Sequence, residues 1–253
     1  YRYPWRALHM ILGNDKNENK IIELAVKVAA IDNNTYQLNG ILDEYQGFQD
    51  PEETIDEKIT QINGITNEMV KGHNINWDLV QTILIKSDIV VAHNAAFDRS
   101  FMDRYLTLSK DKIWACSIND IDWSSRGFAS KGQELLCVWH GFYFESHRAM
   151  SDVDALIHLV THVSYNVNPP IKELITNAFK PIYMICAINS PFETKDILKA
   201  NGYHWNNNDR YWWRKISLDD IEDEKRWLSE NIYNDVFKGR VTEVVITDKY
   251  KIG

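Results

Sequence analysis

The sequence predicts an α/β fold on a sheet of mixed strand direction, followed by a small α+β domain. Two strand-like runs, 20–32 and 35–45, flank Asp32-Asn33-Asn34 and predict a hairpin. Short apolar strands then alternate with segments of helical periodicity, which is typical of an α/β sheet. The pair Pro169-Pro170 interrupts the chain. We therefore predict one domain over 1–168 and a second over 171–253.

The first domain is predicted to begin with strands and to continue with alternating elements. Pro51 and the acids after it are typical of a helix start, while Gly64 and Gly141 are typical of helix ends. Strands are predicted at 3–12, 20–32, 35–45, 87–93 and 112–118. Helices are predicted at 51–66, 77–86, 95–107, 132–141 and 147–163.

The second domain is predicted to be small and aromatic. Its elements are a strand at 182–188, a helix at 193–202, a hairpin turning at 206–209, a helix at about 218–231 and a strand at 240–248. The aromatics near the hairpin are Tyr203, Trp205, Tyr211, Trp212 and Trp213. With Arg210, Arg214 and Lys215 they are able to stack on and neutralise single-stranded nucleic acid. The alternative is that they form the domain's own core.

Charge and composition narrow the function classes. Of the 253 residues, 44% are hydrophobic, and the net charge is -8. Residues 1–170 hold 15 basic against 23 acidic residues, while 171–253 hold 13 of each. This argues against a protein that grips nucleic acid through bulk charge, although a local basic groove stays open. Three widely spaced cysteines predict reduced thiols and a cytoplasmic protein. No apolar run reaches the roughly 18–20 residues of a membrane span.

Three residues suggest hydrolytic chemistry. Asp98 follows a buried strand at a helix start, and His147 and Asp152 are five residues apart near another predicted helix start. Carboxylates hold hard divalent ions, and a neutral histidine is able to take a proton from an attacking water. The set suits metal-assisted phosphodiester hydrolysis. The spacing of His147 and Asp152 alone is a weak signal, because chance often supplies it.

The longer strings around these residues are more specific. "AHNAAFDRSFMDRYL" (92–106) and "HRAMSDVDAL" (147–156) resemble the second and third motifs of the DEDDh, or DnaQ-like, 3′–5′ exonucleases. That family includes the proofreading epsilon subunit and ribonuclease T. "INGITNEMVKG" (62–72) resembles the family's loop at the terminal nucleotide. The resemblance covers about residues 5–165 and implies a ribonuclease H-like mixed five-stranded sheet flanked by helices.

The resemblance also implies roles for individual residues. His147 would be the general base, Asp98 and Asp152 would be active-site carboxylates and metal ligands, and the cofactor would be two Mg²⁺ or Mn²⁺ ions. The substrate-binding residues that it implies are Gly64, Ile65, Thr66, Asn94 and Phe97. The implied partner is the 3′ end of single-stranded DNA or RNA. A homodimer and a protein partner stay open.

The first family motif, Asp-x-Glu-Thr-x-Gly, is absent. With Gly13 under the motif glycine, Leu8 and Met10 stand where the family has its Asp and Glu, and residues 1–14 contain no acid. A two-metal centre needs anionic oxygens to offset the repulsion between ions about 3.5–4 Å apart. We therefore expect a crippled, weakened metal site.

Three explanations compete for the missing pair. The chain is a degenerate member that binds nucleic-acid ends, or a partner, without cutting. Alternatively, Asp15, Glu18 or Glu23 is a substitute ligand. In the third explanation, residues 1–14 do not represent the active-site strand of the natural protein. The rival function on the same fold is an inactive nucleic-acid-binding or regulatory protein-interaction module.

Overall fold

A computed structural model describes residues 20–165 and 168–251, and the backbone of residues 2–13. The chain divides into two compact units, Tyr1–Phe179 with Tyr250–Gly253 and Lys180–Lys249. Helix α7 (Pro170–Ala178) belongs to the first unit because Ile171 and Leu174 are fully buried in its core. The first unit therefore continues past the boundary that we predicted at 168.

The first unit is built on a five-stranded sheet in the order β3-β2-β1-β4-β5. The strands are β1 (Arg2–Gly13), β2 (Lys20–Asp32), β3 (Leu38–Phe48), β4 (Ile89–Ala92) and β5 (Ile113–Cys116). β1 runs antiparallel to β2 and parallel to β4, and β4 runs parallel to β5. This arrangement confirms the predicted mixed sheet.

Helices cover both faces of this sheet. They are α1 (Glu57–Asn63), α2 (Asn67–Val70), α3 (Trp77–Ile85), α4 (Ala95–Tyr105), α5 (Gln133–Trp139), α6 (Ala149–Val160) and α7. Alternate residues of a strand point to opposite faces. Ile89 and Val91 of β4 accordingly join the core that contains α6 and α7, whereas Val90 joins the core that contains α3 and α4. α4 and α6 thus lie on opposite faces of the sheet.

The predicted helix at 51–66 is wrong in its first third, because α1 begins only at Glu57. The Asp50 carboxylate accepts hydrogen bonds from the backbone N–H groups of Glu52 and Gly72. These bonds hold the chain after Asp50 in a turn. The Asp56 side chain then caps the helix through the N–H of Lys58.

The second unit is a four-stranded antiparallel sheet with two helices, as the sequence predicts. Its elements are β6 (Ile182–Ala187), α8 (Lys195–Ala200), β7 (His204–Asn206), β8 (Tyr211–Ser217), α9 (Ile221–Ile232) and β9 (Arg240–Val244). The strand order is β7-β8-β6-β9. Its core includes the almost fully buried Tyr203, together with Ile185 and Leu228. The last strand ends at Val244 rather than at residue 248.

All three cysteines, Cys116, Cys137 and Cys186, are free and buried, in agreement with the predicted reduced thiols. Burial raises the pKa of each thiol, and that of Cys137 reaches about 12. No helix in the described ranges is long and apolar enough to cross a bilayer.

Candidate functional site

His93 directly follows β4 and connects it to the neighbouring strand. His93 is largely buried, and its Nδ1 lies 2.6 Å from Oγ of Ser117, at the end of the neighbouring strand β5. The backbone repeats the link, because Ser117 N–H donates to the carbonyl of Ala92. His93 therefore links the ends of β4 and β5, two residues before α4 begins at Ala95.

α4 places Asp98 in its first turn. The Asp98 N–H donates to the carbonyl of Asn94 at 3.2 Å, and the residue is only 2% exposed. An acidic side chain in the first turn is stabilised by the positive end of the helix. Beside Asp98, Phe97 is 41% exposed and contacts Phe101 edge-to-face at 5.4 Å between centroids. The start of α4 thus buries the carboxylate of Asp98 and exposes the ring of Phe97 next to it.

α6 supplies the second carboxylate, and His147 lies outside it. The helix begins at Ala149 with Arg148 as N-cap, so the prediction that His147 starts the helix is wrong. His147 is exposed and has a φ of 65°, in the left-handed region. Its backbone N–H points at Oδ1 of Asp152 at 3.4 Å, a long contact. Asp152 is 4% exposed in the first helical turn.

A buried carboxylate on β2 holds the start of α6. Glu23 is fully buried, and its Oε1 accepts hydrogen bonds from Nε2 of Gln46 at 2.9 Å and Nη2 of Arg148 at 3.1 Å. Its Oε2 accepts from the N–H of Ala149 at 2.9 Å and from Nε of Arg148 at 3.3 Å. The hydrogen bonds between Arg148 and Glu23 raise the pKa of Arg148. Glu23 is thus fully engaged next to His147, which leaves it no capacity as a substitute metal ligand.

This role of Glu23 was missed by the sequence reasoning. The usable signal was an acid inside the apolar run 20–32, because a charge buried in a strand requires a charged or hydrogen-bonding partner.

The two helix starts meet the same strand, β1. β4 runs parallel to β1 with Ala7 opposite Val91, so α4 begins beside the stretch after Ala7. β2 pairs Glu23 with Ile11, so the anchored start of α6 lies near Ile11. The backbone register therefore places the intervening stretch, which includes Leu8 and Met10, between the helix starts that carry Asp98 and Asp152.

The acids whose side chains the structure describes do not by themselves make up a two-metal centre. Within residues 20–165 and 168–251, no group of three or more histidine, cysteine, aspartate or glutamate side chains is arranged to hold a metal. If Asp98 and Asp152 were the ligands, these two carboxylates alone would be too few to offset four positive charges. Asp15 and Glu18 lie outside the described residues.

The predicted substrate-binding residues Gly64, Ile65 and Thr66, in the loop after α1, differ in how exposed they are. Gly64 caps α1 with a φ of 72°, and Ile65 is fully buried in the core. The backbone of Ile65 is held by the side chains of Asn63 and Thr60. Thr66 is half-buried and lines a cavity of about 680 Å³. Ile65, which is buried and has both backbone groups hydrogen-bonded within the loop, is therefore poorly placed to contact a nucleotide.

Asn94 is exposed at the N-cap of α4, and its side chain forms no capping hydrogen bond with the helix. It lies three residues before the exposed Phe97. Of the predicted site residues at the two helix starts, Asn94, Phe97 and His147 are exposed, whereas Asp98 and Asp152 are buried.

Known protein families and sequences match this chain. The profile of the RNase_T family, described as "Exonuclease", matches residues 11–160. The epsilon subunit of DNA polymerase III from Treponema pallidum is 29% identical over 184 residues, which cover 64% of this chain and 82% of that subunit. A PolC-type DNA polymerase III from Halalkalibacterium halodurans is 38% identical over 89 residues, 34% of this chain but 6% of the polymerase. The chain thus matches only a small part of the PolC relatives.

Solved structures show the same fold. A full-length 3′-exonuclease has a TM-score of 0.50 at 13% identity, covering 66% of this chain and 64% of that protein. A 3′-exonuclease solved with a histone mRNA stem-loop has a TM-score of 0.50 at 12% identity, covering 64% of this chain and 82% of that one. With the family match, these findings define the class. The chain belongs to the RNase_T exonuclease family and has a DEDDh-like 3′–5′ exonuclease fold, as the resemblance implied.

Proposed function

We propose that the chain binds 3′ ends of single-stranded DNA or RNA at the edge formed by the starts of α4 and α6, with its hydrolysis crippled. The observation that carries the proposal is the backbone register. This register supports the proposal, because it leads us to expect Leu8 and Met10, rather than two acids, between the helix starts that bear Asp98 and Asp152. The family match begins at residue 11, downstream of both positions.

The balance of charge favours loss of hydrolysis over replacement of the missing carboxylates by other acids. Removing two of four carboxylates leaves ions about 3.5–4 Å apart without the charge that offsets their repulsion. Glu23, which lies opposite Ile11 of β1, is already bound to Arg148 and Ala149. The family normally uses divalent metals, and the donor set here supports at most weak binding of such an ion.

Accessible side chains at the same edge support nucleic-acid binding. Phe97 exposes a ring beside a helix start, and a base is able to stack on such a ring. Asn94 and His147 add hydrogen-bonding groups to that edge. The 3′-exonuclease solved with a stem-loop is described as recognising a 3′ end specifically. We expect the same class of ligand here.

A second candidate is a regulatory module that binds protein. Residues 1–170 hold 15 basic against 23 acidic residues, and this excess of acid disfavours contact with phosphates. Binding of oligonucleotides that is unmeasurable at every salt concentration would favour this candidate.

The proposal is tested by binding and degradation assays on one set of oligonucleotides. Linear single-stranded DNA and RNA with a free 3′ hydroxyl are compared with the same strands carrying a 3′ phosphate. We expect preference for the free end, no release of 5′-monophosphates with Mg²⁺ or Mn²⁺, and weaker binding by Phe97→Leu. The matched control is Tyr143→Leu, which removes another exposed ring of the same unit. Binding that ignores both the 3′ end and Phe97 would contradict the proposal.

A further inference from the structure

The sheet of the second unit has one face covered by its helices and one that the helices leave open. Trp212, Ile216 and Ile185 belong to the core formed with α8 and α9. Because alternate residues of a strand face opposite sides, Tyr211, Trp213 and their cross-strand neighbours lie on the other face. We call this second side the open face, and define it by His204, Tyr211, Trp213, Cys186 and Arg240.

One row of the open face crosses all four strands. His204 pairs with Trp213, Trp213 with Cys186, and Cys186 with Arg240. The His204 and Trp213 rings lie 5.4 Å apart between centroids. Cys186 is fully buried, whereas Trp213 is half-buried and His204 and Arg240 are exposed. The row therefore presents an aromatic ring between two basic side chains.

Tyr211 extends the row along β8. It stands two residues before Trp213, so their rings emerge on the same face roughly 7 Å apart along the strand. The guanidinium of Arg240 lies 5.4 Å from the centroid of the Tyr211 ring. Arg210 is exposed at the adjoining turn. Two aromatic side chains and two cations are thus gathered at one end of the sheet.

The charges of the open face have a single sign in its strands. The remaining strand positions that face this side are Ile182, Met184, Asn206, Lys215, Ser217, Thr242 and Val244. None of these described positions carries a carboxylate. Asp209 in the hairpin turn lies beside this face and accepts hydrogen bonds from Asn206 and from the Tyr211 hydroxyl, and the backbone of Asp248 contacts Lys215.

Two of the basic residues predicted near the hairpin, Arg214 and Lys215, form hydrogen bonds within the second unit. Nη1 of Arg214 contacts Glu224 at 3.2 Å and the carbonyl of Asn201 at 3.0 Å. Lys215 Nζ donates to the carbonyls of Asp248 and Lys249. Tyr203 and Trp212 are likewise part of the core. Each of the two alternatives that the sequence left open therefore holds for part of this set. Some of these residues form the core of the domain, and others are left accessible on the open face.

We propose that the open face binds single-stranded nucleic acid, with bases stacked on Tyr211 and Trp213 and phosphates neutralised by Arg240 and Arg210. Stacking platforms beside cations on an antiparallel sheet are a recurrent solution for single strands. The inference deepens the proposed function, on which it depends for the class of ligand. It differs in requiring no 3′ end, because stacking and backbone contacts recognise any stretch of strand.

The test uses the full chain and a circular single-stranded oligonucleotide with an internal fluorophore, which has no 3′ end. We expect measurable binding that Trp213→Leu and Tyr211→Leu each weaken roughly tenfold, within the range for loss of one base stack. Trp213→Phe keeps a flat ring and should stay within about threefold of the parent. Thermal unfolding of each variant shows whether the unit still folds.

A charge variant keeps the test decisive if an aromatic variant fails to fold. Arg240→Gln should weaken binding and reduce the slope of log affinity against log salt by about one. The matched controls are Phe192→Leu and Arg226→Gln, which remove an exposed ring and an exposed cation elsewhere on the unit. Neither control should change the affinity.

The outcomes separate this inference from the 3′-end proposal. Binding of linear strands that depends on Phe97 but is unaffected by Trp213→Leu and Arg240→Gln would overturn the inference and leave the 3′-end proposal standing. Binding of the circle that depends on Trp213 and Arg240, without any 3′-end preference, would do the reverse. No binding of either strand would overturn both and would favour a protein on the open face.

Discussion

The link between Glu23 and Arg148 predicts a large and non-additive loss of stability. Glu23 is fully buried and Arg148 is 29% exposed at its side chain, so Arg148→Ala strands a carboxylate that has no access to water. Removing one partner of a buried pair costs about 3–5 kcal/mol. Because Gln46 and Ala149 still donate to Glu23, we expect about 3 kcal/mol, at the low end of that range.

The converse change should cost less. Glu23→Gln keeps the shape of the side chain, and Arg148 is able to reach water, so we expect about 2 kcal/mol, the value for hydrogen bonds to a charged group. In the double variant Glu23→Gln with Arg148→Ala no charge is buried without a partner. Its cost should fall short of the sum of the single costs by about 1–2 kcal/mol.

Urea denaturation followed by circular dichroism measures these costs, and amide hydrogen exchange at Ala149 locates the loss at the start of α6. The control is Arg226→Ala, which breaks an exposed ion pair with Asp223 and should have little effect. If Arg148→Ala cost under about 1 kcal/mol, or if the two changes added without coupling, the reasoning that α6 depends on this anchor would be refuted.

Three further results are expected. Burial, followed by the nearby His140 and His158, lowers the pKa of His162. The folded state therefore binds fewer protons than the unfolded state, and the free energy of unfolding should fall as the pH drops below about 6.5. His162→Gln should flatten that part of the stability curve. Cys137, whose pKa burial raises to about 12, should react with iodoacetamide at pH 8 only after unfolding, and labelling of the native protein would contradict its burial. Leu8→Asp with Met10→Glu should create Mn²⁺-dependent release of 5′-monophosphates, whereas a variant that folds, binds metal and fails to cut would show that our alignment of β1 is wrong.

The sequence predicted the sheet because its strands carry apolar and β-branched runs that few other structures accommodate. It failed where two local signals competed. Pro169-Pro170 was interpreted as a break, yet proline is favoured in the first turn of a helix, and α7 begins at Pro170. The acids after Pro51 resembled a helix start, but the turn held by the Asp50 side chain takes precedence.

The position of the two acids at helix starts was predictable from the sequence, and the geometry around them was less so. Motif order identified Asp98 and Asp152, and both occupy first turns of helices. Spacing alone did not reveal that His147 precedes α6 with a positive φ, because that conformation accompanies a long-range anchor between Glu23 and Arg148. Likewise, a list of aromatics does not show which rings face the core of the second unit, since that depends on the register of β8.

The most direct measurement is calorimetric titration of Mg²⁺ and Mn²⁺ into the full chain, run beside a 3′-end degradation assay on linear single-stranded DNA and RNA. A site that has Leu8 and Met10 in place of two acids predicts weak or undetectable metal binding, retained binding of the 3′ end and no release of 5′-monophosphates. Tight metal binding with release that Asp152→Asn abolishes would contradict it, and would show that other acids complete a working exonuclease.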